Sequence, residues 1–228
     1  MDLPIAELRD TLLAIPRPTV VGILLLGSWA RAQADSASDV DVMVVTDDGS
    51  TRIRTGRFKT WDVEVIYQPL ELLRQHVPTR ATLQGAKILT DRDGALAQLV
   101  EGWEEHFSQP RPVTGAVTAY AEWELRHGLR AFNAFYETGD WSGLWLLRAS
   151  FADTLMAYLF DRSGTWPPTR RRQVDALDRV YPGIASWLMR LLSTADAREL
   201  ICVAHQLWDR WGAGSDEPLL SDAPLWAW

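Results

Sequence analysis

The chain has 228 residues, a hydrophobic fraction of 47%, a formal net charge of −7 and one cysteine. That length can bury one large core or two small ones, and the acidic balance argues against general nucleic-acid binding. Cys202 has no partner for an internal disulfide, Met1-Asp2-Leu3-Pro4 lacks the basic-then-apolar start of a secretory signal, and no apolar run is long enough to cross a bilayer; the expectation is a soluble cytoplasmic protein with no membrane partner.

In chain order, residues 5–15 show helical periodicity that stops at Pro16 and Pro18. An apolar strand, 20–26, runs into Gly27-Ser28 and a short Ala/Arg-rich helical turn, and a second apolar strand that continues through Thr46 carries the two carboxylates Asp39 and Asp41. Asp47-Asp48-Gly49-Ser50 is a turn, and 51–58 is a further strand interrupted at Gly56. Residues 61–67 alternate polar and apolar as a half-buried strand does, and Pro69 opens a short helix over 70–76. Residues 87–90 form another strand, and Asp91-Arg92-Asp93-Gly94 turns into a helix from Ala95, with Asp91 and Asp93 as turn and capping residues. Gln109-Pro110-Arg111-Pro112 marks the domain boundary. Beyond it, 114–138, 141–163, 170–181, 184–192 and 195–211 carry apolar residues at three- and four-residue intervals, with Gly139-Asp140 as stop and cap and Thr194 capping the last helix. The expected fold class is α+β, a small mixed-sheet domain over 1–110 followed by an all-α helical bundle over 111–228.

The chemistry concentrates around residues 27–41. Side chains alternate across a strand, so Asp39 and Asp41 share one face while Val40 and Val42 enter the other, buried face. Two adjacent carboxylates repel, and a fold tolerates that mainly with a cation between them. Gly27 lets backbone approach a ligand and Ser28 adds a hydroxyl. Together they read as a phosphate cradle facing a magnesium site.

Gly27-Ser28-Trp29-Ala30-Arg31, Ala34-Asp35 and Ser38-Asp39-Val40-Asp41 together resemble the signature of the DNA polymerase β-like nucleotidyltransferase superfamily, in its small bacterial antibiotic-modifying and minimal forms. The departure is Ala32-Gln33, where many members place a glycine after the arginine. The resemblance implies a catalytic domain followed by a helical acceptor-binding domain. It implies two Mg2+ ions held by three carboxylates and transfer of a nucleoside monophosphate, most often AMP, from an NTP to a hydroxyl, with release of pyrophosphate. Asp39 and Asp41 supply two of the acids. Asp62 and Glu64 share one strand face and compete for the third place; Glu64 is favoured because Val63-Glu64-Val65-Ile66 matches the family's apolar-acid-apolar-apolar pattern and sets the acid in an apolar stretch. Gly27, Ser28, Arg31 and Ser38 are the nucleotide-binding candidates. A hydroxyl-bearing small molecule, such as an aminoglycoside or lincosamide, is the expected acceptor, which would make the chain an antibiotic-resistance transferase. A protein side chain (AMPylation) and a toxin–antitoxin role are alternatives.

The remaining residues give weaker readings. Among the twelve tryptophans, Trp123, Trp141, Trp145, Trp187, Trp208 and Trp211 read as core, and Trp29 and Trp61 as pocket candidates beside the site. Arg126, Arg130 and Arg148 are either an anion clamp or ordinary helix charges, and Glu122 and Glu124 are candidate acceptor-binding carboxylates. His76, His106 and His127 have no metal-ligand spacing. Arg198 and His205 resemble the Arg-x(4–6)-His motif of HEPN-type ribonucleases, which gives a rival reading from another reaction class; a non-catalytic nucleotide-binding module is a third.

Overall fold

The computed structural model describes residues 3–14, 19–47, 49–75 and 83–212. Residues 15 and 76, where two expected helices end, lie outside the described residues, as does Asp48 of the expected turn. The chain is an α+β protein and divides into two compact units, Met1–Gln109 and Pro110–Trp228. No helix among the described residues is long and apolar enough to cross a membrane.

The first unit contains α1 (Ile5–Leu13), β1 (Val20–Leu25), a one-turn α2 (Gly27–Ala30), β2 (Val40–Thr46), β3 (Arg52–Phe58), β4 (Trp61–Pro69), α3 (Leu70–Gln75), β5 (Lys87–Asp91) and α4 (Ala95–Ser108). Its five-stranded sheet runs β3-β4-β2-β1-β5. β2 and β4 are parallel, and every other neighbouring pair is antiparallel, so the sheet is mixed. Alternation along β2 settles its two faces. Val40, Val42 and Val44 pack with Ile23, Leu25, Val63 and Tyr67 under Leu8 and Leu12 of α1 and Ala30 of α2. Asp41 and Met43 point the other way, toward the face that Glu64 and Ile66 share through the β2–β4 register. Burying each of these valines and leucines is worth about 1.5–3 kcal/mol, which holds β2 in register and leaves its carboxylate no freedom to slip to the other face.

Asp91, at the end of β5, receives the backbone N–H groups of Leu96 (3.1 Å) and Ala97 (3.0 Å) through Oδ2 and so caps the start of α4. That is the capping role its place before Gly94 implied.

The second unit is helical: α5 (Gly115–Thr138), α6 (Trp141–Ser163), a 3₁₀ turn (Arg170–Arg172), α7 (Gln173–Val180), α8 (Ile184–Ser193), α9 (Ala197–Leu207) and a π-helical turn (Trp208–Gly212). Leu125, Phe132, Leu155, Leu159, Leu177, Leu188, Leu200, Val203 and Leu207 form one core across these helices. Gly139 ends α5 at φ 70°, and Asp140 caps α6 by accepting from the N–H of Gly143. Asp161, 8% exposed, is paired with Arg111, and the Arg111 N–H donates to the Gly164 carbonyl (2.8 Å), so the chain entering this unit is clamped to the end of α6.

Three expectations need correction here. Residues 170–181 are not one helix: the arginines form a separate 3₁₀ turn, with Arg170 paired to Asp153. The cap of α9 is Asp196, which accepts from the N–H of Glu199 (2.9 Å), whereas Thr194 follows α8 and bonds the Glu199 carboxylate. Trp123 and Trp141 are surface residues, at 45% and 49% exposure, while Trp208 is buried and Trp145, Trp187 and Trp211 flank the core.

Candidate active site

The turn after β1 comes unusually close to β2. The Leu26 N–H donates to the Asp41 carbonyl (2.8 Å), and Gly27 follows at φ +63°. A Cβ on Gly27 would lie 2.3 Å from Asp41 Oδ2. Both the left-handed backbone and the missing side chain are therefore required, and the turn is built against the carboxylate. Ser28 follows with its carbonyl receiving the Gln33 N–H (2.8 Å). Ala32 sits at φ 55°, in the left-handed region that favours glycine.

The carboxylates are placed by strand register. Asp41 is directly opposite Glu64 on the parallel neighbour β4, and Glu64 is opposite Thr55 on β3. Opposed residues in a ladder share a face, so Thr55, Glu64 and Asp41 form a row across three strands. Glu64 and Asp41 are half-buried, whereas Asp39 is exposed, one residue ahead of β2. The loop carrying Asp39 is ordered from within: the Ser38 hydroxyl donates to Asp35 Oδ1 (3.0 Å) and accepts from the Asp35 N–H (2.9 Å), while the Ala37 N–H donates to the same carboxylate (2.9 Å). The Ser38 hydroxyl is thereby bonded to Asp35 and helps to shape this loop. Asp62 points to the Glu64 face but is exposed and paired with Arg57 at 3.3 Å.

Electrostatics single out Asp41. Burial, then Asp39, then Glu64 raise its pKa from 3.8 to about 6, against the opposing pull of Arg31. An acid held at that cost among other acids would be relieved by a positive charge placed beside it. The donors are all carboxylate oxygens, the hard ligands that Mg2+ prefers. Among the described residues no three such side chains already converge on one point as a metal cage. The donor chemistry and the charge fit a divalent cation; the closed geometry is not preformed.

Arg31 is held near this site. Its Nη1 donates to the Gln84 carbonyl (3.0 Å), and its stem packs against Gly85, where a Cβ would come within 2.8 Å of Cγ. Trp29 and Trp61 do not line the site. They meet edge to face at 6.3 Å and pack on the valine side of the sheet, opposite Asp41 and Glu64. Trp61 lies on the Val63 and Val65 side of β4 by strand alternation, which the sequence displayed; its nearness to Glu64 in sequence hid the difference of face.

In the helical unit, Glu122 is bonded by Arg126 (2.7 Å), and Glu124 accepts from the Tyr120 hydroxyl (3.0 Å). Arg148 lies over Trp145 and donates to the Thr194 carbonyl (3.1 Å). Arg130 is exposed on α5. Arg198 and His205 both lie on α9, and Arg198 donates to the Tyr136 hydroxyl.

Thr55 and Arg57 were not singled out in the sequence. With Asp39, Gly56, Asp62, Val63 and Glu64 they line an open cavity of about 340 Å³. The signal for them is the two-residue connection Lys59-Thr60: a hairpin of that length opposes Phe58 to Trp61, and counting back puts Arg57 opposite Asp62 and Thr55 opposite Glu64.

No family model and no curated protein matches this chain. Among solved structures it is similar to a nucleotidyltransferase-like protein from Exiguobacterium sibiricum 255-15, at 12% identity and a TM-score of 0.47, over 89% of this chain and 72% of that one.

Proposed function

We propose that the protein is a Mg2+-dependent nucleotidyltransferase that passes a nucleoside monophosphate, AMP first among them, from an NTP to a hydroxyl of a small molecule. The observation that carries this reading is the contact of Gly27 with the Asp41 carboxylate, in a row with Glu64 and beside Asp39. A glycine turn with a neighbouring hydroxyl, pressed against clustered acids, suits a triphosphate that arrives with its cation. Asp39, Asp41 and Glu64 would hold Mg2+, which supplies neutralisation of the triphosphate and activation of the acceptor hydroxyl. The chain's own part is positional. Gly27 admits the phosphates without a side chain in their way, Ser28 offers a hydroxyl, and Arg31 is anchored through Gln84 near Asp41, where its charge offsets the acids. The Asp35–Ser38 bonds keep the Asp39 loop in a shape that presents its carboxylate. Phosphoryl-type transfer needs alignment and charge compensation more than covalent help, and this set offers both.

An aminoglycoside, lincosamide or comparable hydroxylated compound is the first acceptor class to try, on the family resemblance. A screen of the four NTPs with magnesium against such compounds, read as pyrophosphate release, tests the reading. Magnesium-dependent release that needs an acceptor supports it; no release and no magnesium-dependent NTP binding would remove it.

A further inference from the structure

The transfer proposed above has a direction, and the order of residues across the sheet face gives it. Gly27 and Ser28 lie at the β1 end of the acid row, against Asp41. Glu64 follows on β4 and Thr55 on β3, and at that far end lies the cavity of about 340 Å³ lined by Asp39, Thr55, Arg57, Asp62 and Glu64. In an in-line displacement the attacking and leaving oxygens stand on opposite sides of the transferred phosphorus. A triphosphate seated at Gly27-Ser28 sends its pyrophosphate toward the β1 end, so the acceptor must enter from the β3 end.

We propose that this cavity is the acceptor subsite, that it takes a hydroxyl compound of about the size of one sugar ring, and that Arg57 and Asp62 determine which compound is accepted. The inference rests on the nucleotidyltransferase reading and adds where the acceptor binds and what reads it. Its volume is at the small end of the roughly 300–1,000 Å³ typical of ligand pockets, which suits a small molecule or the end of a larger one. Arg57 and Asp62 are 71% and 76% exposed in their side chains, and their contact is long at 3.3 Å. A pair of that kind holds weakly, so either partner can exchange its contact for a polar group on a ligand. Thr55, opposite Glu64 on β3, lines the same cavity.

The test supplies its own acceptor. In a Cys202→Ser background, which leaves no other thiol, Thr55→Cys is converted to its mixed disulfide with 2-mercaptoethanol, placing a hydroxyl on a tether of about 7 Å, roughly one and a half strand spacings. Held there, that hydroxyl has the high effective concentration of an intramolecular reactant. Its oxygen bonds to the α-phosphorus, the bond from that phosphorus to the bridging oxygen of the β-phosphate breaks, pyrophosphate leaves, and the hydroxyl proton passes to water in the open cavity. Incubation with the four NTPs and Mg2+ is followed by mass spectrometry of the intact protein. The expected result is a magnesium-dependent gain of one nucleoside monophosphate that a reducing agent removes. The same tether on Ile53→Cys, on the same strand face but outside the cavity lining, should gain at least tenfold less. Arg57→Cys gives a second placement should the Thr55 variant fold poorly. If the wild-type protein binds an Mg-NTP in calorimetry but neither cavity tether is modified, or the Ile53 tether is modified equally, the subsite assignment is overturned and the nucleotide reading stands. If no Mg-NTP binds at all, the nucleotide reading falls, and the subsite with it.

Discussion

At the scale of single residues, Asp41 bears the largest electrostatic load in the first unit. Its pKa near 6, against 3.8 for an ordinary aspartate, means that the folded state binds this proton more tightly than the unfolded state does. The charged carboxylate therefore costs stability once pH exceeds about 4. The cost grows until pH passes about 6 and is absent at low pH, where both states are protonated. Asp41→Asn removes the charge and keeps the shape. Without divalent cations it should melt above the wild type at pH 7–8, with the gap closing as pH falls through 6 toward 4, and it should lose metal-dependent transfer by at least a hundredfold. A gap that does not vary with pH, or near-normal turnover, would show that Asp41 is neither strained nor needed. Ala32 carries a smaller strain. Its left-handed backbone costs an L-residue about 1–2 kcal/mol, and glycine returns part of that gain as chain entropy, so Ala32→Gly should stabilise by about 0.5–1 kcal/mol in urea unfolding. A loss of stability would show that Ala32 has contacts worth more than its strain.

At the scale of elements, what was legible in the sequence was whatever a strand's alternation or a glycine's conformation writes directly. The valines of β2 announce a buried face, and with it the direction of Asp41. Gly27 announces a close approach, though not that the object approached is Asp41 itself. What was not legible depends on pairing between distant strands. That Glu64 is opposite Asp41 follows from the parallel β2–β4 register, which no local pattern encodes. The placing of Trp61 beside the site had a different cause: alternation along β4 sets it on the Val63 and Val65 side, where Trp29 also packs, and its nearness to Glu64 in sequence hid that. The two acids of β4 differ in setting, and we propose Glu64 as the third carboxylate on that ground. Glu64 is half-buried in the row with Asp41, and Asp62 is exposed at the rim with Arg57 as its partner. Glu64→Gln should therefore reduce kcat by at least a hundredfold at saturating magnesium. Asp62→Asn should leave kcat within about threefold and act on the KM for the acceptor instead. The reverse ranking in steady-state kinetics would give Asp62 the third carboxylate's place.

At the scale of the whole molecule, the core of the first unit carries a row of acids on a chain whose net charge is already −7. On the proposed reading, the carboxylates of Asp39, Asp41 and Glu64 would repel a bare triphosphate, and a bridging cation would convert that repulsion into attraction. The two ligands should therefore be coupled: each raises the affinity for the other by the same factor. A ligand that binds only the folded state stabilises it by about 2.7 kcal/mol at one hundred times its Kd. Mg-NTP at that level should raise the melting temperature by several degrees, whereas NTP with a chelator, or Mg2+ alone, should do much less than half as much. Asp41→Asn should abolish the magnesium-dependent part while leaving the baseline melting temperature at or above that of the wild type, because the charge proposed to attract the cation is the same charge that strains the unliganded fold. Differential scanning calorimetry over a matrix of Mg2+ and NTP concentrations measures the coupling directly. If the shifts from Mg2+ and from NTP are simply additive, the two bind at separate places and the acid row beside Gly27 is not where they meet.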